Sequence, residues 1–311
     1  MGSIEIFPWT HESGAPQDGI RPVDPHANKE HSDVRQSTPP VPGASVTTAD
    51  PGPALTVGNI ALSFHRAAAA LTRRVLEAHG HRTTGVEAPH EQLFRLQAEG
   101  RVDVLVSAWL PDSHDVYLAG YRERALVLGA HYHPYCVWAV PPYVPNEAVA
   151  EVADLARSEV AARMTRAIDG INPGAGISRF SARMVGEYGL DRVGYTFTPG
   201  TEASFTARVE RGIAEREWFV IPLWRPQYLN RLHGLRPLAE PRGLLGAVDA
   251  ASPVVHRAAL SRVRTDALVR LDGLRLGNEA IEELDTWINA DGLTPLAAAD
   301  RYLAAHPDLL A

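Results

Sequence analysis

Hydrophobic positions follow two alternating spacings over most of the chain. Residues 55–60 form a short apolar run that predicts a strand, and residues 67–79 have the spacing of an amphipathic helix that ends at Gly80. Residues 91–99 predict a second helix, and residues 102–107 predict a second buried strand. Strands that alternate with helices in this way are typical of an α/β fold with mainly parallel strands.

The rest of the chain continues this pattern. It predicts strands at 137–140 and 218–223 and helices at 147–156, from about 178, and at 204–214, 254–271, 278–290 and 294–306. The proline-rich segment at 141–145 suits a crossing between two lobes. We therefore expect one lobe at residues 54–140 together with 245–311, and a second lobe at residues 141–244. The last three helices are expected to pack back on the first lobe.

Residues 1–53 have a different character from the rest. They are rich in Pro, Asp, His, Ser and Gly and show no apolar periodicity. A segment that cannot bury apolar surface cannot offset the entropy of ordering itself. The sequence therefore predicts a disordered extension here.

Composition and charge narrow the possible functions. With 311 residues, of which 45% are hydrophobic and 22% charged, the chain has ordinary globular composition. The net charge of -7 gives no sign of a basic surface for nucleic acid. No run approaches the ~20 apolar residues of a membrane span. The first residues lack the basic start and apolar stretch of an export signal, so the chain as written is expected to be cytoplasmic and not inserted in a membrane.

Groups that could react or bind a metal are few. Cys136, the only cysteine, stands among apolar residues, which favours simple burial over catalysis. The pairs His79 with His81 and His131 with His133 lack a third ligand at a recognisable spacing. Walker, dinucleotide-binding and Gly-x-Ser-x-Gly motifs are absent. We expect no catalytic residue, no metal and no cofactor.

Three segments at predicted strand ends or at a helix start draw attention, because α/β folds place ligands there. Trp109 and Trp224 each follow a predicted strand, and an indole face there could hold a cation. Taken singly, each tryptophan is more often a core residue. The loop at 170–177 contains three glycines and leads into a helix, where backbone N–H groups suit a carboxylate. Without the other two segments it would be read as a plain turn.

Together these segments resemble the glycine betaine, proline betaine and choline substrate-binding proteins of ABC importers. The resemblance covers residues 54–311 and rests on Ser-Ala-Trp-Leu-Pro at 107–111, Gly-Ile-Asn-Pro-Gly-Ala-Gly-Ile at 170–177, and Trp224 with Pro226. It implies a two-lobed α/β fold of the type II periplasmic-binding-protein class, with the ligand cleft between the lobes. It also implies an extracytoplasmic place beside the ABC permease and ATPase subunits.

The resemblance assigns a role to each site residue. Trp109 and Trp224 would be walls of an aromatic box around the ammonium group. Gly170 and Ile171 would donate backbone N–H groups to a carboxylate, and His114 would be a second carboxylate partner. At the place of a third box tryptophan this sequence has Leu62. Phe64 or Tyr228 would then supply the missing face, or the ligand would differ from glycine betaine.

The sequence supports two functions of different classes. The leading interpretation is a solute-binding protein, not an enzyme, for a quaternary-ammonium or related zwitterionic or cationic small molecule. The alternative is a homologue without an export signal that has become a cytoplasmic enzyme or sensor and holds a cationic substrate in the aromatic cleft.

Overall fold

The structure, a computed structural model, describes residues 53–311. Residues 1–52, which hold nearly all of the predicted disordered extension, lie outside the described residues.

A five-stranded mixed sheet is built from two distant parts of the chain. Its strands are β1 Leu55–Ile60, β2 Thr83–Ala88, β3 Val104–Leu110, β4 Ala125–Val127 and β12 Ala250–His256, in the order β2-β1-β3-β12-β4. Strands β2, β1 and β3 run parallel, whereas β12 runs antiparallel to both β3 and β4. The expectation of mainly parallel strands therefore holds for one half of this sheet only.

The middle of the chain forms smaller sheets. Its strands are β5 Tyr135–Val140, β6 Met164–Thr165, β7 Ala167–Asp169, β8 Thr196–Thr198, β9 Trp218–Phe219, β10 Ile221–Arg225 and β11 Arg236–Pro237. Strands β10, β5 and β11 form an antiparallel sheet, and β6 with β9 and β7 with β8 form parallel pairs. Strand β5 thus pairs outside the large sheet. The lobe limits at 140 and 245 remain a prediction.

Helices connect and cover these sheets. They are α1 Ser63–Ala78, α2 His90–Ala98, α3 Asp115–Leu118, α4 Ser158–Ala161, α5 Gly176–Glu187, α6 Glu202–Ala214, α7 Tyr228–His233, α8 Thr265–Gly273, α9 Gly277–Asn289 and α10 Pro295–Ala305. Shorter 3₁₀ turns occupy Ala119–Arg124, Val152–Ala156, Leu190–Val193, Arg257–Ala259 and Pro307–Leu310. Helices α8, α9 and α10 pack on α1.

Two predicted helices are wrong. The segment predicted as a helix at 254–271 begins as strand β12, and only its end is helical, in α8. Val254 and Val255 are β-branched and fully buried, and β12 pairs with β3 and β4 on its two sides, so distant partners decide its structure. The helix predicted at 147–156 is a short 3₁₀ turn at Val152–Ala156.

Helix α1 begins four residues earlier than its spacing predicts, at Ser63. The backbone N–H of Ser63 donates to a carboxylate oxygen of Glu202 at 2.7 Å, although the two residues are 139 positions apart. Free N–H groups in the first turn of a helix need an acceptor. Here that acceptor comes from the start of α6, so no local pattern could indicate the start of α1.

The core of the large sheet lies between its strands and α1. Val57 and Ile60 of β1 are fully buried, and the run Ala67–Ala70 of α1 is also buried. Small side chains at that run let the helix lie close to its neighbours. Within residues 53–311, no helix combines the length and the apolarity that a bilayer crossing requires.

Candidate functional site

A small, partly open cavity lies where the ends of β1, β3 and β10 meet the start of α5. Its volume is about 20 Å³, little more than one water molecule needs, so in this conformation the wall side chains nearly fill the space. Its walls are Leu62, Phe64, His65, His90, Trp109, Ser113, His114, Cys136, Ile171, Ala175, Gly176, Ile177 and Trp224.

Trp109 belongs to β3 and not to the loop after it. The predicted strand at 102–107 extends to Leu110, and Trp109 pairs with Ala251 of β12. The indole is only 5% exposed, and its Nε1–H donates to the Tyr132 hydroxyl at 3.1 Å. Strand pairing and this hydrogen bond hold the indole in one orientation at the cavity wall.

Phe64 lies between the two predicted box tryptophans. Its ring centroid is 5.4 Å from that of Trp109 and 5.7 Å from that of Trp224. Trp224, in β10, also stacks on Phe205 of α6 at 5.5 Å. We call Phe64, Trp109 and Trp224 the aromatic end of the cavity.

His114 is fixed by a reciprocal pair of hydrogen bonds that closes the segment after Trp109. The His114 N–H donates to the Trp109 carbonyl at 2.8 Å, and the Trp109 N–H donates to His114 Nδ1 at 2.9 Å. Because Nδ1 accepts, the proton of the neutral ring is on Nε2. The five-residue spacing between Trp109 and His114 is therefore the length of one turn that these two hydrogen bonds close.

Two more histidines line the cavity, and the sequence analysis did not find them. His65 is in the first turn of α1, and His90 is the first residue of α2. Both are buried, and the centroids of the His65, His90 and His114 rings lie between 5.1 and 6.5 Å apart. His65 follows the predicted strand at 55–60, which was a signal, whereas the strand before His90 was not predicted from the sequence.

Burial keeps the three imidazoles neutral. It lowers the pKa of His90 to about 3, with Arg179 contributing to the same shift. Burial also holds the pKa values of His65 and His114 well below their usual range, and His90 lowers both further. Neutral rings do not repel a cationic ligand.

The start of α5 forms the opposite end of the cavity. Ala175, Gly176 and Ile177 line the wall, and the N-cap residue Ala175 has no side chain that could accept from the free N–H groups of the first turn. A Cβ atom on Gly176 would lie 2.8 Å from Ser113 Oγ, so only glycine permits this approach. We call this helix start, with His90 and His114, the anion end, because helix N-termini favour negative groups.

Arg179 ties the anion end together. Its guanidinium donates to the Gly174 carbonyl at 2.5 Å and to the Ser113 carbonyl at 2.7 Å. It also donates to the Tyr117 hydroxyl at 3.3 Å. One side chain of α5 thus holds the glycine loop and the segment before α3 at a fixed distance.

The structure brings five of the seven predicted site residues to the cavity wall: Leu62, Trp109, His114, Ile171 and Trp224. Gly170 and Tyr228 are not part of that wall. The Gly170 N–H donates to the Thr198 carbonyl at 2.9 Å, so in this conformation it is already used. The Tyr228 hydroxyl points to Thr206 at 3.5 Å. Phe64 therefore supplies the third aromatic face, and Tyr228 does not.

Cys136, expected to be a buried core residue, lies partly buried in β5 and also lines the cavity. Burial raises the pKa of its thiol, which opposes formation of the nucleophilic thiolate. Within the described part of the chain, no group of three or more His, Cys, Asp and Glu side chains is arranged to hold a metal ion.

The chain is similar to known proteins in both sequence and fold. A sequence model of the substrate-binding domain of ABC-type glycine betaine transport systems, OpuAC, matches residues 53–305. The chain belongs to this family. The resemblance found in the sequence motifs is thereby confirmed, and a binding component is supported over an enzyme.

A relative from Listeria monocytogenes is also a transport binding protein. This chain is 24% identical over 156 residues to that protein, the glycine betaine/carnitine transport binding protein GbuC. That match spans 50% of this chain and 51% of GbuC, about half the length of the relative.

Solved structures show the fold. Lactococcal OpuAC, in its closed conformation with glycine betaine, matches with a TM-score of 0.72 and 22% identity over 82% of this chain and 97% of that one. The glycine betaine/L-proline-binding protein ProX of Borrelia burgdorferi matches with a TM-score of 0.73 and 21% identity over 83% and 95% of the two chains. The fold is the two-lobed periplasmic-binding-protein type.

Proposed function

We propose that this domain is the substrate-binding component of an ABC importer and holds a small betaine-like zwitterion or ammonium cation in its cavity. The observation that carries the proposal is the polarity of one small cavity. One end is aromatic, and the other has free helix N–H groups and neutral histidines. A ligand that suits both ends has a cationic group and an anionic group a few bonds apart.

The aromatic end would hold the cation. A cation over an indole or phenyl face is attracted to the electron-rich ring, by about 2 kcal/mol when water is excluded. Phe64, Trp109 and Trp224 are each 5% exposed or less, so water is largely excluded around all three faces. Leu62 contributes an apolar surface without a ring at the place of a fourth contact.

The anion end would hold a carboxylate. We assign the N–H groups at the start of α5 and the Nε2–H of His114 as its donors, together with the N–H of Ile171. The first two donors are fixed by the helix and by the closed turn after Trp109, so a carboxylate there meets preorganised partners. Gly170 would act as a donor only if its bond to Thr198 opened.

Ligand entry would require the cavity to open. The lobes we propose, residues 54–140 with 245–311 and residues 141–244, would separate about a hinge. The contacts from Arg179 to Ser113 and from Glu202 to Ser63 would break on opening. Permease and ATPase subunits would receive the ligand from this domain.

Calorimetry with glycine betaine, choline, proline betaine and carnitine tests the proposal. At least one should bind with one-to-one stoichiometry. Replacing Trp109 by Leu keeps apolar bulk but removes the ring, so affinity should fall about 10- to 30-fold. Both Trp109 and Trp224 are buried, so replacement by Ala would also destabilise the fold through cavity formation.

Trp138 provides the matched control. It is fully buried, its Nε1–H donates to Ser181 Oγ at 2.8 Å, and it is not part of the cavity wall. Trp138→Leu should lower the melting temperature without changing affinity. Equal losses of affinity in both variants would show that Trp109 acts only through stability. If none of these four ligands and none of their less methylated analogues bound, the proposed function would be refuted.

A further inference from the structure

The cavity wall contains three imidazoles where an ammonium box needs only aromatic and apolar faces. A neutral imidazole always has one N–H donor and one nitrogen with a free lone pair. His114 uses its lone pair, because its Nδ1 accepts the Trp109 N–H. In His65 and His90, by contrast, Nδ1 has no hydrogen-bond partner among the described residues.

His65 belongs to the aromatic end. Its ring centroid is 4.2 Å from that of Phe64 and 5.8 Å from that of Trp109. The residue is 1% exposed, and its Nδ1 has no hydrogen-bond partner among the described residues. With the proton on Nε2, the unpartnered Nδ1 offers a free lone pair beside the aromatic end, where the cation would lie.

His90 lies nearer the anion end and differs from His65, because its side chain has a hydrogen bond with Asn172. Its ring is 5.1 Å from that of His114, it is 2% exposed, and its Nδ1 also lacks a partner among residues 53–311. Next to a carboxylate it can act as a donor, so a betaine-like ligand could satisfy it. No part of a fully methylated ammonium can satisfy His65 in the same way, because such a group has no N–H.

We propose that the cavity selects a zwitterion whose ammonium keeps at least one N–H, a secondary or tertiary amine rather than a quaternary one, and that His65 accepts this N–H. The proposal rests on the function proposed above and specifies its ligand class. Leaving the buried imidazole without a donor costs affinity, whereas pairing it with a cationic N–H forms a charge-assisted hydrogen bond. Leu62 agrees with this selection, since the box has no ring there to contact a further methyl group.

A methylation series separates the possibilities. Glycine betaine, N,N-dimethylglycine, sarcosine and glycine have the same carboxylate and differ only in N-methyl groups. In calorimetry with the full chain, N,N-dimethylglycine or sarcosine should bind about tenfold tighter than glycine betaine, the size of one charge-assisted hydrogen bond. Affinity that rises with every methyl group would overturn the inference and leave the proposed function standing.

A variant assigns the effect to its residue. His65→Leu should reduce the preference for N,N-dimethylglycine over glycine betaine by about tenfold, whereas His256→Leu should leave it unchanged. His256 is the matched control, because it is also buried with an unpartnered Nε2 but is not part of the cavity wall. A preference that survived His65→Leu would overturn the role of His65. If His65→Leu does not fold, the methylation series on the unmodified chain still tests the ligand class. If no compound of that series, and neither choline, proline betaine nor carnitine, binds the unmodified chain, both proposals are overturned.

Discussion

The two ends of the cavity are assembled in different ways. At the aromatic end, Trp109 and Trp224 stand on strands that pair with β12 and β5, so the backbone of a sheet holds each indole. At the anion end, the start of α5 with Arg179, His90 of α2 and His114 before α3 come from three parts of the chain that meet only in the folded molecule. The aromatic end is thus held by strand pairing, and the anion end by contacts of side chains and loops.

Acid should lower the free energy of unfolding through the buried imidazoles of the cavity, two of which are at the anion end. Burial lowers the pKa values of His65, His90 and His114 in the native chain, while the unfolded chain keeps the ordinary value near 6.5. Their contribution to stability is fully present above that value and is lost as the pH falls, because only the unfolded chain binds the protons. The free energy of unfolding should fall by roughly 1 kcal/mol per imidazole for each pH unit below about 6.

Urea denaturation at about pH 7.5, 6 and 5 measures this slope, and His90→Asn should reduce it by roughly 1 kcal/mol per pH unit. One buried carboxyl acts in the opposite direction. Burial raises the pKa of Asp285 to about 7, so its contribution is present below the ordinary value of 3.8 and is lost as the pH rises through 7. Stability that stayed constant between pH 7.5 and 5 would mean that the imidazoles gain protons without unfolding.

Removing the Arg179 guanidinium from the anion end should lower the affinity for ligands with a carboxylate more than the affinity for simple cations. Arg179→Gln loses the contacts to Gly174 and Ser113. Because the Ser113 contact also favours closure, every ligand should weaken, but N,N-dimethylglycine or glycine betaine should lose about tenfold more affinity than choline, which has no carboxylate. Arg183→Gln is the control, because Arg183 is on the same helix and donates to Leu244 outside the cavity. If choline lost as much affinity as the carboxylates in calorimetry, Arg179 would govern closure and not the anion.

The smallest effect is expected from completing the aromatic end. Leu62→Trp adds a ring that methyl groups can contact, so glycine betaine should gain about threefold in affinity relative to N,N-dimethylglycine. Leu62→Met, which has no ring, should leave that ratio unchanged. Loss of all binding in a folded Leu62→Trp protein would show instead that the ligand occupies the space beside Leu62 and is bulkier than betaine.

Sequence alone was enough for the parts that local spacing determines. The cavity residues Trp109 and Trp224 were found because each follows a predicted strand, whereas His114 was indicated only by the family resemblance. The fold class followed from the same alternation together with the family resemblance. His65 and His90 were missed because no motif contains them. The rule that ligands lie beyond strand ends would have indicated His65 after the predicted strand at 55–60, but not His90, since β2 was not predicted.

One remaining error comes from long-range contacts. The end of strand β12, from Val254, was predicted as helix, since its apolar run is short and its identity depends on pairing with β3 and β4. The role of Gly170 as a donor to the ligand stays a prediction; here the Gly170 N–H is bonded to the Thr198 carbonyl, and a Cβ on Gly170 would lie 2.5 Å from Phe197. That glycine is therefore required by packing between β7 and β8.

The bond between Ser63 and Glu202 also bears on the order in which the chain acquires its structure. Folding is slow where contacts join residues far apart in sequence, because the intervening loop must close first. The first turn of α1, which holds Phe64 and His65, is completed by a residue 139 positions later. In a chain still emerging from the ribosome, the first turn of α1 can therefore be completed only after the start of α6 has been synthesised.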